Sequence, residues 1–211
     1  MSPPRRGRPP GSTGIDLLAV ARDVFLEYGY AGASMDEVAS RARVSKSSLY
    51  REHASKASLY AAAVTDWAAA GQEAMRPALD RLMASKDLHA GLIEFAETLR
   101  AAILSPDVVR MRRLVTSEAA TQPEAAATYL KESWNANIKR LADVLQLHTH
   151  SGRLKAADSH LAAEQLTWLV VGAPLNATLL GAEWTTHATA AAAVDLFLAG
   201  YGKHGAYDDT R

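Results

Sequence analysis

Between residues 45 and 56 the chain reads SKSSLYREHASK, where every side chain except Leu49 and Ala54 carries a hydroxyl, a charge or an imidazole. Hydroxyls and cations grouped in this way suit the binding of oxyanions, phosphate above all, through O–H and N–H donation. On a helix, Lys46 and Tyr50 stand one turn apart, as do Ser47 and Arg51, so the two pairs share a surface with Ser48 beside them while Leu49 turns inward. One apolar anchor beneath a cationic, hydroxyl-rich face is what a helix seated in a DNA major groove requires.

The preceding stretch, SMDEVASRARV, supplies a supporting helix. Ser34 and Glu37 form a capping box, and Asp36 and Glu37 complement the positive N-terminal end of the dipole. Met35, Val38, Ala39 and Ala42 recur at i, i+3, i+4 and i+7, so the helix is about two turns long. Ala39 and Ala42 are small enough for a second helix to pack closely. Arg43-Val44 is the connection, with Val44 as its expected buried residue. Ser45 caps the second short helix, and Ser55 caps a third that starts at Lys56. Two short helices joined by a tight turn and followed by another make a helix-turn-helix. The plainer readings are serines that only cap, and Arg43, Lys46 and Arg51 as solvated surface. Capping and phosphate contact are compatible, because hydroxyl and orphan amides share one helix end.

Upstream, residues 1–12 contain four of the eight prolines together with Arg5, Arg6 and Arg8, and no acid. This composition reads as a disordered basic tail. Arg6-Gly7-Arg8-Pro9 resembles the core of a minor-groove AT-hook, in which Gly and Pro let the chain lie flat and the arginines seek the groove's negative potential.

Other chemistries have little support. The seven histidines, His53, His89, His148, His150, His160, His187 and His204, include no pair at i, i+4, and there is no cysteine, so no metal site is expected. No G-x-S-x-G or phosphate-cradling loop occurs, so no enzyme and no cofactor are expected. MSPPRRGRPPG lacks the apolar core of a signal peptide and no stretch of 18 apolar residues occurs, which predicts a soluble cytoplasmic protein without membrane contact.

The elements that must carry these residues are helices. Of the 211 residues 42 are Ala, the best helix former, while β-branched and aromatic residues are scarce, so an all-α fold is expected. Leu18, Ala21, Phe25 and Tyr28 mark a first helix that Gly29 ends. After residue 56 the periodicity predicts longer helices over about 56–84 (kinked at Pro77), 87–104, 106–120, 123–148, 158–180 and 186–200. Short connections suit an antiparallel bundle. The organisation is a tail over 1–12, a helix-turn-helix domain over 13–56 with its motif at about 34–53, and a helical body over 57–211.

The span IDLLAVARDVFLEYGYAGASMDEVASRARVSKSSLYREHASKASLYAAAV resembles the TetR family of bacterial regulators over about 50 residues. Phe25-x-x-x-Gly29-Tyr30, Ser34, Val44-Ser45-Lys46, Leu49-Tyr50 and Lys56 carry the likeness. MRRLVTSEAATQPE, GRLKAADSHLAAEQL and the later LLG resemble the AefR-like subgroup. The resemblance implies a homodimeric transcriptional regulator, most often a repressor that a small-molecule effector releases from a palindromic double-stranded DNA operator. It implies phosphate contacts from Ser34, Tyr50 and Lys56, and base-edge contacts from Ser45, Lys46, Ser47 and Ser48. The chain departs from the family in having Arg43 where a Gly usually precedes the Val, and His53 at a common aromatic position.

In the body, Trp67, Phe95, Met111, Trp134 and Trp168, with the polar Asn137, are expected to line an effector pocket between helices; core packing is the plain alternative. LTWLVVGAPL and AAAAVDLFLA are apolar on nearly all sides, which a bundle of this size satisfies best by pairing with a second copy. Leu169, Gly172, Ala173, Leu196 and Phe197 are the expected interface. The rival reading is a helical ligand-binding or dimerisation module without sequence-specific DNA binding.

The formal net charge of zero conceals a polarity: residues 1–56 hold nine Lys and Arg against six Asp and Glu, and the remainder 14 against 17. The tail supplies the whole excess of the head, so attraction to DNA depends on the placement of a few cations and helix N-termini more than on bulk charge.

Overall fold

The computed structural model describes residues 14–182 and 189–203. Arg5, Arg6, Arg8, His187 and His204 lie outside the described residues. Within them every regular element is helical, and the one β-type pairing is an isolated bridge between Leu154 and Gly202. The helices are α1 (Gly14–Gly32), α2 (Met35–Arg41), α3 (Lys46–Glu52), α4 (Lys56–Ala84), α5 (Leu88–Ile103), α6 (Pro106–Ser117), α7 (Pro123–Tyr129), a π-helical turn (Leu130–Asn135), α8 (Ala136–His150), α9 (Ser159–Leu179) and α10 (Ala190–Tyr201).

The boundaries follow local chemistry. Gly29 adopts φ 69° and ψ 174°, which breaks the helical path inside α1 where a glycine is the inexpensive residue. Side chains of Ser34, Ser45, Asp87, Asp158 and Thr189 accept backbone N–H bonds at the starts of α2, α3, α5, α9 and α10. α4 spans the expected 56–84 as a single helix with Pro77 inside it. One expectation needs correction: the single helix expected over 123–148 contains six residues of π-helix. There the carbonyls of Glu132 and Ser133 accept from the side-chain amides of Gln72 and Asn137. These outside donors satisfy backbone groups that the altered ladder leaves available.

The described residues fall into two compact units, one within Met1–Trp67 and Leu114–Ala126, the other within Ala68–Arg113 and Ala127–Arg211. In this division α4 carries the first unit on to Trp67, and the end of α6 with the start of α7 joins it. α4, α6 and α7 each contribute residues to both units. The first unit is built around Val24, Phe25, Val38, Leu49, Leu59 and Tyr60. Phe25, Tyr30 and Tyr60 pack ring on ring, with centroids 5.1–6.1 Å apart. Burial pushes the Tyr60 phenol up to about 12. The second unit's core includes Leu82, Leu92, Leu141, Leu145, Leu166 and Val194.

His148 is buried at the end of α8, with Nε2 3.1 Å from the Leu82 carbonyl oxygen. Burial, and then the charge of Arg153, lowers its pKa below the ordinary value of 6.5. Such a group disfavours the folded state once the unfolded chain protonates, so its penalty is absent above pH ~6.5 and grows as pH falls through the folded-state pKa. The melting temperature is expected to drop between pH 7 and pH 5, and less steeply in His148→Gln. Parallel pH–melt curves for the two proteins would remove His148 as the cause.

Candidate nucleic-acid interface

The reading surface is assembled from three short-range devices. Ser34 Oγ accepts from Glu37 N at 3.1 Å, and Ser45 Oγ accepts from Ser48 N at 3.1 Å. Each cap leaves a helix start presenting amides and hydroxyls together. At the start of α3 the hydroxyls of Ser45 and Ser47 lie 3.0 Å apart, and Ser45 Oγ donates to Ser48 Oγ at 2.9 Å. Rotation of these hydroxyls exchanges donor for acceptor, which suits base edges that offer both.

The orientation of α3 follows its single anchor. Leu49 is 1% exposed and is the helix's one buried residue, while Lys46, Ser47, Tyr50 and Arg51 face solvent and Ser48 is half-buried. Tyr50 is 49% exposed, so the phenol is not core packing. Ala39 and Ala42 are buried beneath the turn; Val44, expected to be buried, is only half-buried, and its amide donates to the Ala39 carbonyl at 3.0 Å. Arg43 explains the family's preference for glycine. Its φ is +56°, a left-handed conformation that costs a non-glycine residue roughly 1–2 kcal/mol. Its side chain is exposed.

Two cations differ in their circumstances. Lys46 Nζ donates to Asp36 at 2.6 Å across the turn, with both side chains more than half exposed. An exposed pair is weak, so exchanging Asp36 for a phosphate is inexpensive. Lys56 donates to the carbonyls of Ala31 and Ala33 at 3.2 and 3.0 Å and lies 4.7 Å from the Tyr30 ring centroid. It therefore ties the start of α4 to the end of α1, a structural duty that the phosphate assignment by itself did not include.

Sequence reasoning missed Arg41. Its guanidinium bonds Glu27 and Glu37, each at 2.6 Å, and the Tyr28 hydroxyl at 2.8 Å. The bond to Glu27, followed by that to Glu37, raises its pKa, and the same contact lowers that of Glu27. Only the i, i+4 partner Glu37 was visible as a local pattern; Glu27 and Tyr28 lie on the preceding helix.

In the second unit the expected pocket residues separate. Phe95 and Met111 are 3% and 1% exposed, and Phe95 belongs to the main core. Trp67 falls in the first unit, where the Arg22 guanidinium lies 5.0 Å from its ring centroid. Trp134 and Trp168 do come together, centroids 5.0 Å apart, and Arg112, which the sequence did not single out, lies 4.9 Å from the Trp134 centroid. Asn137 follows one turn after Trp134.

The expected interface residues also divide. Leu169 and Leu196 are 43% and 61% exposed, Ala173 is exposed and Gly172 half-buried. Phe197 is a correction: it is 2% exposed and packs into the chain's own core, because a neighbour of an outward residue on a helix is turned by about 100°. Leu161, Trp168, Leu169 and Leu196 line an open groove of about 580 Å³ between α9 and α10, with Phe197 at its floor.

Among the described residues no cluster of His, Asp or Glu could hold a metal ion, and no helix is long and apolar enough to cross a membrane.

A capped helix-turn-helix in one unit, with a larger all-helical second unit, places the chain in the helix-turn-helix class of DNA-binding proteins. Residues 17–63 match the family of bacterial regulatory proteins named for tetR, and residues 90–203 match the C-terminal domain of AefR-like transcriptional repressors. The chain belongs to the TetR family of bacterial transcriptional regulators. It is 31% identical over 148 residues to the HTH-type transcriptional activator FasR of Mycolicibacterium smegmatis, a match covering 66% of this chain and 64% of that protein. It resembles the flavonoid-responsive regulator FrrA at TM-score 0.73 and 27% identity, covering 90% and 97% of the two chains. A TetR-family regulator from Mesorhizobium loti MAFF303099 superposes at TM-score 0.84 with 24% identity, covering 91% of this chain and all of that one.

Proposed function

We propose that the protein is a ligand-responsive, homodimeric transcriptional repressor of the bacterial cytoplasm that reads a palindromic operator and leaves it when a small molecule binds the body. The observation that carries the reading is the exposed face of α3, where Lys46, Ser47, Tyr50 and Arg51 surround a helix start capped by Ser45, above the single anchor Leu49. Base edges would be read by Ser45 to Ser48, and phosphates held by Ser34, Tyr50 and Lys56, with Arg43 and Arg51 at the flanks. The arginines of the tail, Arg5, Arg6 and Arg8, would enter a neighbouring minor groove. Two-fold pairing through Leu169, Gly172, Ala173 and Leu196 would set the two reading helices one turn of DNA apart. The flavonoid-responsive relative supports control by a small organic molecule. α4, α6 and α7 carry residues of both units, so they are the elements through which an effector that prefers one arrangement of the body would act on the heads.

The test is a gel shift on the DNA upstream of the gene, repeated across salt concentrations. Wild type is expected to bind with a steep salt dependence, and a Lys46→Ala, Tyr50→Ala double variant at least ~30-fold more weakly, as the loss of two phosphate or base contacts predicts. Equal binding by both proteins would sink the reading. The activator FasR makes the sign of regulation a second question, answered by a reporter: expression rises on deletion of a repressor's gene and falls on deletion of an activator's.

A further inference from the structure

Buried polar atoms are nearly always hydrogen-bonded, so the exceptions call for a physical reason. Among the described residues the buried side-chain atoms without a partner include Arg112 Nε and Asn137 Oδ1. Both belong to the surroundings of Trp134: the Arg112 guanidinium lies 4.9 Å from its ring centroid, and Asn137 follows it by one helical turn. The identity of the free amide atom is settled by its neighbour. Asn137 donates through Nδ2 to the Ser133 carbonyl at 2.8 Å, and a carbonyl only accepts, so the atom left over is the oxygen. A guanidinium is a planar group of N–H donors with no acceptor. Its neighbours on α6 are engaged elsewhere, Arg110 with Asp107 and Arg113 with the Thr178 carbonyl, whereas Arg112 faces a ring.

The backbone here is also unusual. Trp134 sits in the π-helical turn Leu130–Asn135, and such turns recur at functional sites because they re-aim a side chain at the cost of regular hydrogen bonding. Gln72 and Asn137 hold this turn from the side, and the re-aimed Trp134 meets Trp168 with ring planes 48° apart.

We propose that Arg112, Trp134, Asn137 and Trp168 form the effector subsite, and that it takes a planar aromatic molecule bearing an anionic group and a separate hydroxyl or N–H donor. The proposal rests on the body being the effector-binding part of the protein. The guanidinium binds the anion, the indoles stack on the planar body, and Asn137 Oδ1 accepts from the ligand's donor. Each feature of the ligand answers one feature of the site. Arg112 also lies within two residues of Leu114, from which α6 belongs to the unit that contains the reading helix, so a pull on this guanidinium acts on a helix shared by both units.

Calorimetric titration of the full-length protein with 6-hydroxy-2-naphthoate tests this, with 2-naphthoate and 6-hydroxy-2-naphthamide as comparators. The hydroxy-acid is expected to bind at least tenfold more tightly than either. Arg112→Gln is expected to abolish the preference for acid over amide, Arg112→Lys to retain part of it, and Asn137→Leu to abolish the preference for the hydroxyl alone. Melting curves establish that each variant is folded, and should Arg112→Gln fail to fold, Arg112→Lys and Asn137→Leu carry the test. No saturable binding of the hydroxy-acid, equal binding of acid and amide, or an acid preference that survives Arg112→Gln would overturn the proposal. The titration contains no DNA, so a protein that fails to shift the operator yet shows these preferences loses the regulator reading and keeps the subsite. One released from the operator equally by acid and amide keeps the regulator reading and loses the subsite.

Discussion

Leu196→Glu is expected to convert the protein to monomers and to weaken operator binding by roughly 100-fold or more, because two linked reading heads gain 10²–10⁴ in avidity over one. Leu196 is 61% exposed on α10, beside Leu161, Trp168 and Leu169 at 44%, 52% and 43%. Burying a leucine contributes about 1.5–3 kcal/mol, and a two-fold interface counts every residue twice. A glutamate in the same place loses that contribution and adds a carboxylate that must be desolvated without a partner. Because the site is exposed in the single chain, the subunit itself should keep its melting behaviour at low concentration. Light scattering reads the mass and a gel shift the affinity. Dimers that persist in the variant would mean that this groove is not the pairing face.

Leu49→Ala is expected to remove about 2–5 kcal/mol from the stability of the head, the usual range for truncating a fully buried leucine. The effect is large because α3 has seven residues, too few to hold a helix in isolation, and one buried side chain attaching it to the rest. The second unit has a core of its own, from Met75 to Phe197 along the chain, and does not include Leu49. Denaturant melts followed by circular dichroism should therefore show an early loss of a minor fraction of the helicity, with operator binding lost alongside it, while the main transition moves little. Glu52→Ala, on the exposed side of the same helix, should change stability by less than ~0.5 kcal/mol. A Leu49→Ala protein as stable as that control would mean that α3 is held by something other than its anchor.

How much of this was legible beforehand depends on range. The starts of α2, α3 and α9 were readable, because a capping hydroxyl or carboxylate acts on amides two or three residues away, whereas the caps Asp87 and Thr189 of α5 and α10 were not picked out and α10 begins at Ala190, later than the expected 186. The all-helical fold was readable from alanine content and period. That Lys46, Ser47, Tyr50 and Arg51 share the exposed side of α3 with Leu49 turned inward was readable because one turn of one helix orders them. The Arg41 clamp was not, since Glu27 and Tyr28 precede it by 14 and 13 residues and meet it only after α1 packs on α2. The π-helical turn was invisible because one of the amides that accommodate it comes from Gln72, on another helix. Phe197 was grouped with Leu196 at the expected interface because an apolar helix gives no polar stripe from which to tell its two sides apart.

The sequence by itself therefore determined the class of element, where most helices begin, and which residues of α3 face outward around its single anchor, since each of these is decided within a turn or two of chain. Only the tertiary structure decided which residues share a unit, that Lys56 ties α4 to α1, that Arg43 occupies a left-handed turn, that Arg112 packs over Trp134, and that Arg112 and Asn137 each keep an unanswered polar atom. Those facts arise from contacts closed over tens of residues, whose geometry packing selects and local propensity does not encode.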